Sequence, residues 1–115
     1  MTEFRVLGVS LGVVRSLRQV LLVVRRRSYR LATQIEDAAS SVALNLGEGN
    51  RREGRDRAYH FRVAAGSAEE VRCGLHVAEA WGYLRESDTA STLAQVDTLL
   101  AMIWGLTGGR RRRTA

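Results

Sequence analysis

Apolar residues recur every three or four positions along most of the chain, which is the spacing of one face of an α-helix. The first such segment runs from Phe4 to Arg27, and the second begins near Tyr29 with Gly49-Asn50 as its predicted C-terminal stop. Their predicted core stripes are Leu7, Leu11, Val14, Leu17, Leu21 and Val24 in the first segment, and Leu31, Ile35, Ala38, Val42 and Leu46 in the second. No segment shows the sustained alternation that would predict a β-strand.

Two further helices are predicted in the second half of the chain. The third runs from about Arg55 to Trp81 with a stripe of Phe61, Ala64, Ala68, Val71, Leu75, Ala78 and Gly82. After a turn at Tyr83–Asp88, in which Ser87 or Asp88 is the predicted N-cap, the fourth carries Leu93, Val96, Leu99, Leu100, Ile103 and Leu106 and ends at Gly108-Gly109. Four amphipathic helices with short connections predict an all-α fold, a single up-down-up-down antiparallel four-helix bundle.

Length and composition fit this prediction. The 115 residues contain no proline and suffice for one core, so we expect a bundle domain over residues 1–109 and a basic flexible C-terminal tail over 110–115. The net charge is +6, and all basic residues are arginines. Seven of them lie between Arg5 and Arg30 without one acidic residue, which is the regional charge expected of a protein that binds a polyanion.

The candidate phosphate contacts are the arginines of the first helix, of its junction with the second, and of the second turn. They are Arg15, Arg18, Arg25, Arg26, Arg27, Arg30, Arg51, Arg52, Arg55 and Arg57. Two alternatives stay open: a charge run is often a solvated helix end, and the arginines after Glu48 can pair with carboxylates and simply order the turn. We expect Asn45 and Glu48 to fix this turn, with some arginines pairing inward and others pointing outward.

The other chemistry of the sequence is sparse. Cys73 is the only cysteine, so no internal disulfide can form, and we expect a cytoplasmic protein with no membrane span and no signal peptide. Cys73 and His76 have too few partners for a metal site, and no nucleophile with a base is evident, so we expect no metal, no cofactor and no enzymatic activity. Trp81, Tyr83 and Trp104 are candidates for base stacking, although such residues are more often core or subunit contacts.

Two blocks of sequence stand out, the first from Gln34 to Gly49 and the second from Phe61 to Leu84. Together they resemble the four helix bundle protein family, also called the ribosomal-RNA intervening-sequence protein family. The motif positions carried over from the family, all with expected structural roles, are Gln34, Asn45, Glu48, Gly49, Ser67, Glu70, Trp81 and Gly82.

The resemblance implies an up-down bundle that assembles as a ring-shaped homopentamer. The family includes accessory proteins of diversity-generating retroelements, which bind nucleic acid and a reverse transcriptase. We therefore expect a non-enzymatic homo-oligomer that binds DNA or RNA through arginine–phosphate contacts with little dependence on base sequence, with a reverse transcriptase as a possible partner. The alternative is an adaptor that docks an acidic partner protein and does not bind nucleic acid directly.

Overall fold

The computed structural model describes the backbone of residues 2–108 and the side chains of residues 5–108. Four helices make up this part of the chain: α1 (Thr2–Arg27), α2 (Tyr29–Asn50), α3 (Gly54–Ala80) and α4 (Glu86–Leu106). The predicted all-α four-helix bundle is confirmed, and the helix bounds lie within a few residues of those predicted. The predicted tail at 110–115, like residue 109, lies outside the described residues.

Short connections set the topology of the bundle. One residue joins α1 to α2, three join α2 to α3 and five join α3 to α4, so consecutive helices must run antiparallel. Each helix packs against its neighbours in the chain, and α4 closes the bundle against α1. The α1–α2 junction therefore lies at the same end of the bundle as the α3–α4 turn, whereas the α2–α3 turn lies at the other end.

The core stripes of α2, α3 and α4 largely follow the predicted positions, whereas that of α1 does not. Val6, Ser10 and Val13 are buried in the first half of α1, and the predicted core residue Leu11 is 40% exposed. This half of the helix carries apolar residues on every side, so the spacing alone fits more than one stripe. Packing against α2 and α4 selects the face that is buried.

Polar residues in the core are hydrogen-bonded. Ser10 donates to the carbonyl oxygen of Leu7 at 2.7 Å, which satisfies its hydroxyl within α1. The hydroxyls of Ser16 and Thr92 form a hydrogen bond that joins α1 to α4. Among the described residues, no buried side-chain nitrogen or oxygen is left without a partner, as expected of a well-packed interior.

The end of α3 differs from the prediction. Gly82 is not a core residue of the helix: it is exposed, follows the cap residue Trp81 and has a φ of 82°. The amide of Gly82 donates to the carbonyl of Glu79, and the amide of Tyr83 donates to that of Ala78, both at 2.9 Å. This pair of bonds is the Schellman motif, which places a glycine in the left-handed conformation just beyond the helix.

The start of α4 corrects a second prediction. Arg85, rather than Ser87 or Asp88, is the N-cap residue. Asp88 lies at the third helical position, where its carboxylate accepts a hydrogen bond from the backbone amide of Arg85 at 2.8 Å. This contact lowers the pKa of Asp88. The carboxylate therefore reaches back from inside the helix, as in a capping box, instead of preceding it.

The predicted stop of α2 at Gly49-Asn50 is confirmed in position, but no left-handed glycine ends the helix there. The helix continues through Gly49 to Asn50, and the cap residue Arg51 has an ordinary right-handed conformation. The left-handed glycine of this turn is Gly54, at the start of α3, with a φ of 62°. A side chain there would strain the backbone.

Helix α1 has one further property that bears on the prediction of no membrane span. Arg5–Arg27 is long and apolar enough, by length and composition alone, to cross a membrane, a test that the core helices of soluble proteins also pass. In the bundle, Val6, Val13, Leu17 and Val24 face the core. Leu22 and Val23 are 55% and 41% exposed, so α1 also presents apolar surface outside the core of a single chain.

Candidate nucleic-acid interface

The α2–α3 turn is held by arginine–carboxylate pairs centred on Glu48. One carboxylate oxygen of Glu48 accepts from Arg51 at 2.6 Å and the other accepts from Arg52 at 2.6 Å, while Arg52 also reaches Asp56 at 2.7 Å. The hydrogen bonds from Arg52 and Arg51 lower the pKa of Glu48 below its ordinary value of 4.5. The side chain of Glu48 is 29% exposed, so these pairs are partly solvated and the charges of Arg51 and Arg52 are already offset by carboxylates.

Arg57 packs inward at the same turn. Its guanidinium lies 4.7 Å from the ring centroid of Phe61 and donates to the carbonyl of Gly49 at 3.3 Å. Gly49 is buried against that ring, and a β-carbon at this position would come within 2.6 Å of the Phe61 Cε1 atom. Arg55 is exposed and has no carboxylate partner among the described residues.

Next to the α2–α3 turn, a series of polar contacts joins α2 to α3. The amide nitrogen of Asn45 donates to the carbonyl of Ser41 at 3.0 Å, which leaves its Oδ1 atom to accept from Nδ1 of His60 at 2.9 Å. The hydroxyls of Ser41 and Ser67 lie 2.8 Å apart. The motif residues Asn45 and Ser67 therefore belong to the packing between α2 and α3.

The arginines of the α1–α2 junction have fewer carboxylate partners. Arg25 pairs with Glu36 at 2.9 Å, but Arg26 and Arg30 are exposed and have no ion pair among the described residues. The guanidinium of Arg27 lies 5.0 Å from the ring centroid of Tyr83, on the α3–α4 turn. We call Arg26, Arg27 and Arg30 the junction arginines, because all three are exposed and none is neutralised by a carboxylate in the described part of the chain.

The predicted phosphate contacts form two separate groups. The 22 residues of α2 separate the junction arginines from the α2–α3 turn, a distance of about 33 Å at 1.5 Å per residue. Arg15 and Arg18 are exposed on α1, and Arg18 and Arg25 border a groove of about 420 Å³ between α1 and α2. Arg15 and Arg18 thus extend the positive surface from the junction along α1, whereas the arginines at 51–57 face a different end.

The remaining motif residues lie on the surface. Gln34 and Glu70 are exposed and border a small pocket of about 170 Å³ between α2 and α3. Trp81 is 69% exposed, and its ring stacks on that of Tyr83 with centroids 6.3 Å apart and planes 13° from parallel. Trp104, by contrast, is half-buried and packs against the core. Of the aromatic candidates, Trp81 therefore lies most fully outside the core.

The possible metal ligands on α3 do not converge. No group of three or more histidine, cysteine or acidic side chains is placed to hold a metal ion in the described part of the chain. His76 lies 3.0 Å from Glu79, whose other carboxylate oxygen accepts from the buried hydroxyl of Thr89. The bond from Thr89, followed by that from His76, lowers the pKa of Glu79. This carboxylate therefore ties α3 to the start of α4, and Cys73 is simply exposed.

The proximity of the junction arginines to the aromatic turn was not predicted. Arg27 and Tyr83 are 56 positions apart in sequence, and neither charge nor spacing links them. The topology would have been a sufficient signal, because an up-down-up-down bundle places the first and third connections at the same end. Arg85, with its side chain 83% exposed, adds another guanidinium there, although it contacts Asp88.

Comparison with known protein families agrees with this architecture. The family model described as 23S rRNA-intervening sequence protein matches residues 6–105, which is most of the chain. The chain therefore belongs to this family, as the sequence motifs indicated. No curated protein matches the chain closely enough to count as a relative.

Proposed function

We propose that this chain is a non-enzymatic, basic bundle protein of the 23S rRNA-intervening sequence family that binds DNA or RNA as a homo-oligomer. The binding is through arginine–phosphate contacts and depends little on base sequence. The main contact surface is the α1–α2 end of the bundle, extended along α1 by Arg15 and Arg18. The single observation that carries this proposal is the absence of a carboxylate partner for the junction arginines within the described residues.

The contrast between the two arginine groups supports this assignment. At the α2–α3 turn, Glu48 and Asp56 already offset Arg51 and Arg52. A phosphate would have to compete there with carboxylates on the same chain. At the junction, a phosphate meets guanidinium groups whose hydrogen-bonding forks are open to solvent, and such forks match phosphate oxygens in charge and geometry.

Salt dependence tests the proposal directly. Phosphate contacts release condensed counterions, so the logarithm of the binding constant falls linearly with the logarithm of salt concentration, by roughly 0.9 per contacted phosphate on duplex DNA. We expect replacement of Arg26, Arg27 and Arg30 with glutamine to weaken binding to duplex and single strands and to reduce this slope, with unchanged helical content by circular dichroism.

A matched control removes the same formal charge from paired arginines. Glutamine at Arg51, Arg52 and Arg72 also subtracts three charges, but these side chains contact carboxylates. We expect the control variant to keep most of the affinity and of the slope. Equal losses in both variants would contradict a localised contact surface at the junction. If the wild-type protein binds no nucleic acid even near 50 mM salt, the result would favour the alternative function, an adaptor that docks an acidic protein.

Two further parts of the same proposal are a reverse-transcriptase partner, which rests on family resemblance, and a cytoplasmic location, which rests on the single cysteine of the sequence. An adjacent reverse-transcriptase gene with a template repeat would support the role of a retroelement accessory factor. Co-purification of the two proteins, reduced by the junction substitutions, would show that the same positive surface serves both partners.

A further inference from the structure

We infer that Trp81, stacked on Tyr83, is a platform for an unpaired base, so that the α1–α2 end of the bundle favours single-stranded over duplex nucleic acid. This inference rests on the proposed function and deepens it. Arginine–phosphate contacts alone would not distinguish a single strand from a duplex by its bases. An exposed aromatic ring does distinguish a single strand from a duplex, because a base can stack on the ring only when that base is not already stacked within a duplex.

The position of Trp81 has a specific structural cause. Helix α3 ends at Ala80, and Trp81 is its cap residue. The left-handed Gly82 then reverses the chain, and the half-buried Tyr83 comes to lie nearly parallel to the indole. The turn therefore holds the indole against one aromatic neighbour, yet leaves 69% of Trp81 exposed. Such a large aromatic side chain carries substantial apolar area, most of which no described residue covers.

The surroundings fit a nucleotide better than a purely apolar partner. The guanidinium of Arg27 lies 5.0 Å from the centre of the Tyr83 ring, so a positive charge for a phosphate stands beside the aromatic pair. Tyr83 also borders an open groove of about 450 Å³, in which Val20, Val23 and Leu84 supply apolar area and Arg85 adds a second guanidinium. Aromatic faces interleaved with guanidinium groups are what single-stranded nucleic acid contacts in sequence-tolerant sites.

Two of the acidic groups at this end, Asp88 and Glu79, are engaged by neighbouring side chains. Asp88 binds the backbone amide and side chain of its own cap residue, Arg85. Glu79 accepts from Thr89 and His76. Glu86 is exposed at the start of α4. Among these acidic groups, Glu86 alone has no ion pair or side-chain hydrogen bond in the described part of the chain, whereas the guanidinium of Arg27 contacts the Tyr83 ring.

The test compares three DNA ligands of equal length: a single strand, the matching duplex, and a single strand with abasic sites throughout. The single strand and the duplex are also tested as RNA. We expect Trp81→Ala to weaken binding to the base-bearing single strands by roughly 5- to 100-fold. Its affinity for the duplex and the abasic strand should stay unchanged. The salt slope should also stay unchanged, because no phosphate contact is removed.

Two matched variants complete the design. Trp81→Phe keeps an aromatic face and should restore much of the single-strand affinity. Leu44→Ala removes a side chain that is 72% exposed on α2, and it should affect none of the ligands. In a Trp104→Phe background, Trp81 is the remaining tryptophan, and its fluorescence should be quenched by the base-bearing strand but not by the abasic strand.

The outcomes separate this inference from the proposed function. Equal loss of affinity for all ligands, or a change in oligomer mass on light scattering, would show that Trp81 acts through the fold or a subunit contact. Either result would overturn this inference but not the proposed function. Unchanged single-strand affinity in Trp81→Ala would also overturn this inference and leave the proposed function intact. If the wild-type protein bound none of the ligands, the proposed function would fail and the base platform with it.

Discussion

Gly49 is required because of what lies beside it, rather than because of its backbone conformation. The residue is helical and buried, and an added β-carbon would lie 2.6 Å and 2.8 Å from two ring atoms of Phe61. Phe61 is in turn covered by the guanidinium of Arg57 on the same turn. The ring cannot move away without disturbing the packing of α2 on α3, which is the kind of overpacking that destabilises a core.

A pair of glycine substitutions tests this reading. Gly49→Ala should lower the free energy of unfolding by about 1–3 kcal/mol through overpacking. Gly47→Ala, two residues earlier in the same helix and with no atom within 4 Å of the added β-carbon, should be neutral or stabilising by up to about 1 kcal/mol, because alanine is the better helix former. Urea denaturation of both variants measures the difference, and similar values for the two would contradict the close-approach argument.

At the scale of the elements, the α2–α3 turn joins two helices through charge pairs that depend on one carboxylate. Glu48 contacts Arg51 and Arg52, and Arg52 extends the network to Asp56 in the first turn of α3. The pairs are partly exposed, so their contribution should be smaller than that of a buried ion pair. Their effect should nevertheless be visible in the pH dependence of stability, because they lower the pKa of Glu48.

We expect Glu48→Gln to lower the melting temperature at neutral pH. A folded-state pKa below the unfolded value near 4.5 means that this stabilisation is fully present above pH 4.5 and is lost as the pH falls through the folded-state pKa. The gap between wild type and variant should therefore be constant above pH 4.5 and close as the pH falls below that value, because protonation of Glu48 ends its pairing with Arg52 and Arg51. Asp37→Asn, at an exposed position of the same helix, is the control. A gap that does not close at acidic pH would refute the assignment.

For the whole molecule, the distribution of exposed apolar side chains supports the proposed assembly. Leu11, Leu22 and Val23 are 40%, 55% and 41% exposed on one helix, α1, and several exposed apolar side chains on one helix provide the kind of surface that a subunit contact covers. A ring of identical subunits would bury part of it through a heterologous contact repeated around an axis. The family resemblance implies five subunits in such a ring.

Light scattering of the purified protein should therefore give a mass several times that of the 12.8 kDa chain, and about five times for the expected ring. Leu22→Asp, on the exposed face of α1, should shift the population towards smaller species while the helical content is retained, because a carboxylate placed in an apolar contact loses its hydration. A folded monomer at tens of micromolar wild-type protein would contradict the assembly.

The sequence by itself determined the class of fold, the number of helices and the core stripes of α2 and α3. Those stripes, such as Ile35–Val42–Leu46 and Phe61–Val71–Leu75, repeat at helical spacing on otherwise polar helices, so only one face can be buried. It also identified the family, through motif positions that include Asn45 and Gly49. These features are local in sequence, and local spacing is sufficient to reveal them.

Only the tertiary structure decided which arginines have carboxylate partners, which face of α1 is buried and what surrounds Trp81. Several faces of α1 are apolar, and packing against α2 and α4 determines which of these faces is buried. Whether an arginine is neutralised depends on which carboxylates lie within about 4 Å, as for Arg25 with Glu36 or Arg72 with Asp97. The meeting of Arg27 with Tyr83 arises because antiparallel helices return the chain to the same end, and no property of either segment alone contains that information.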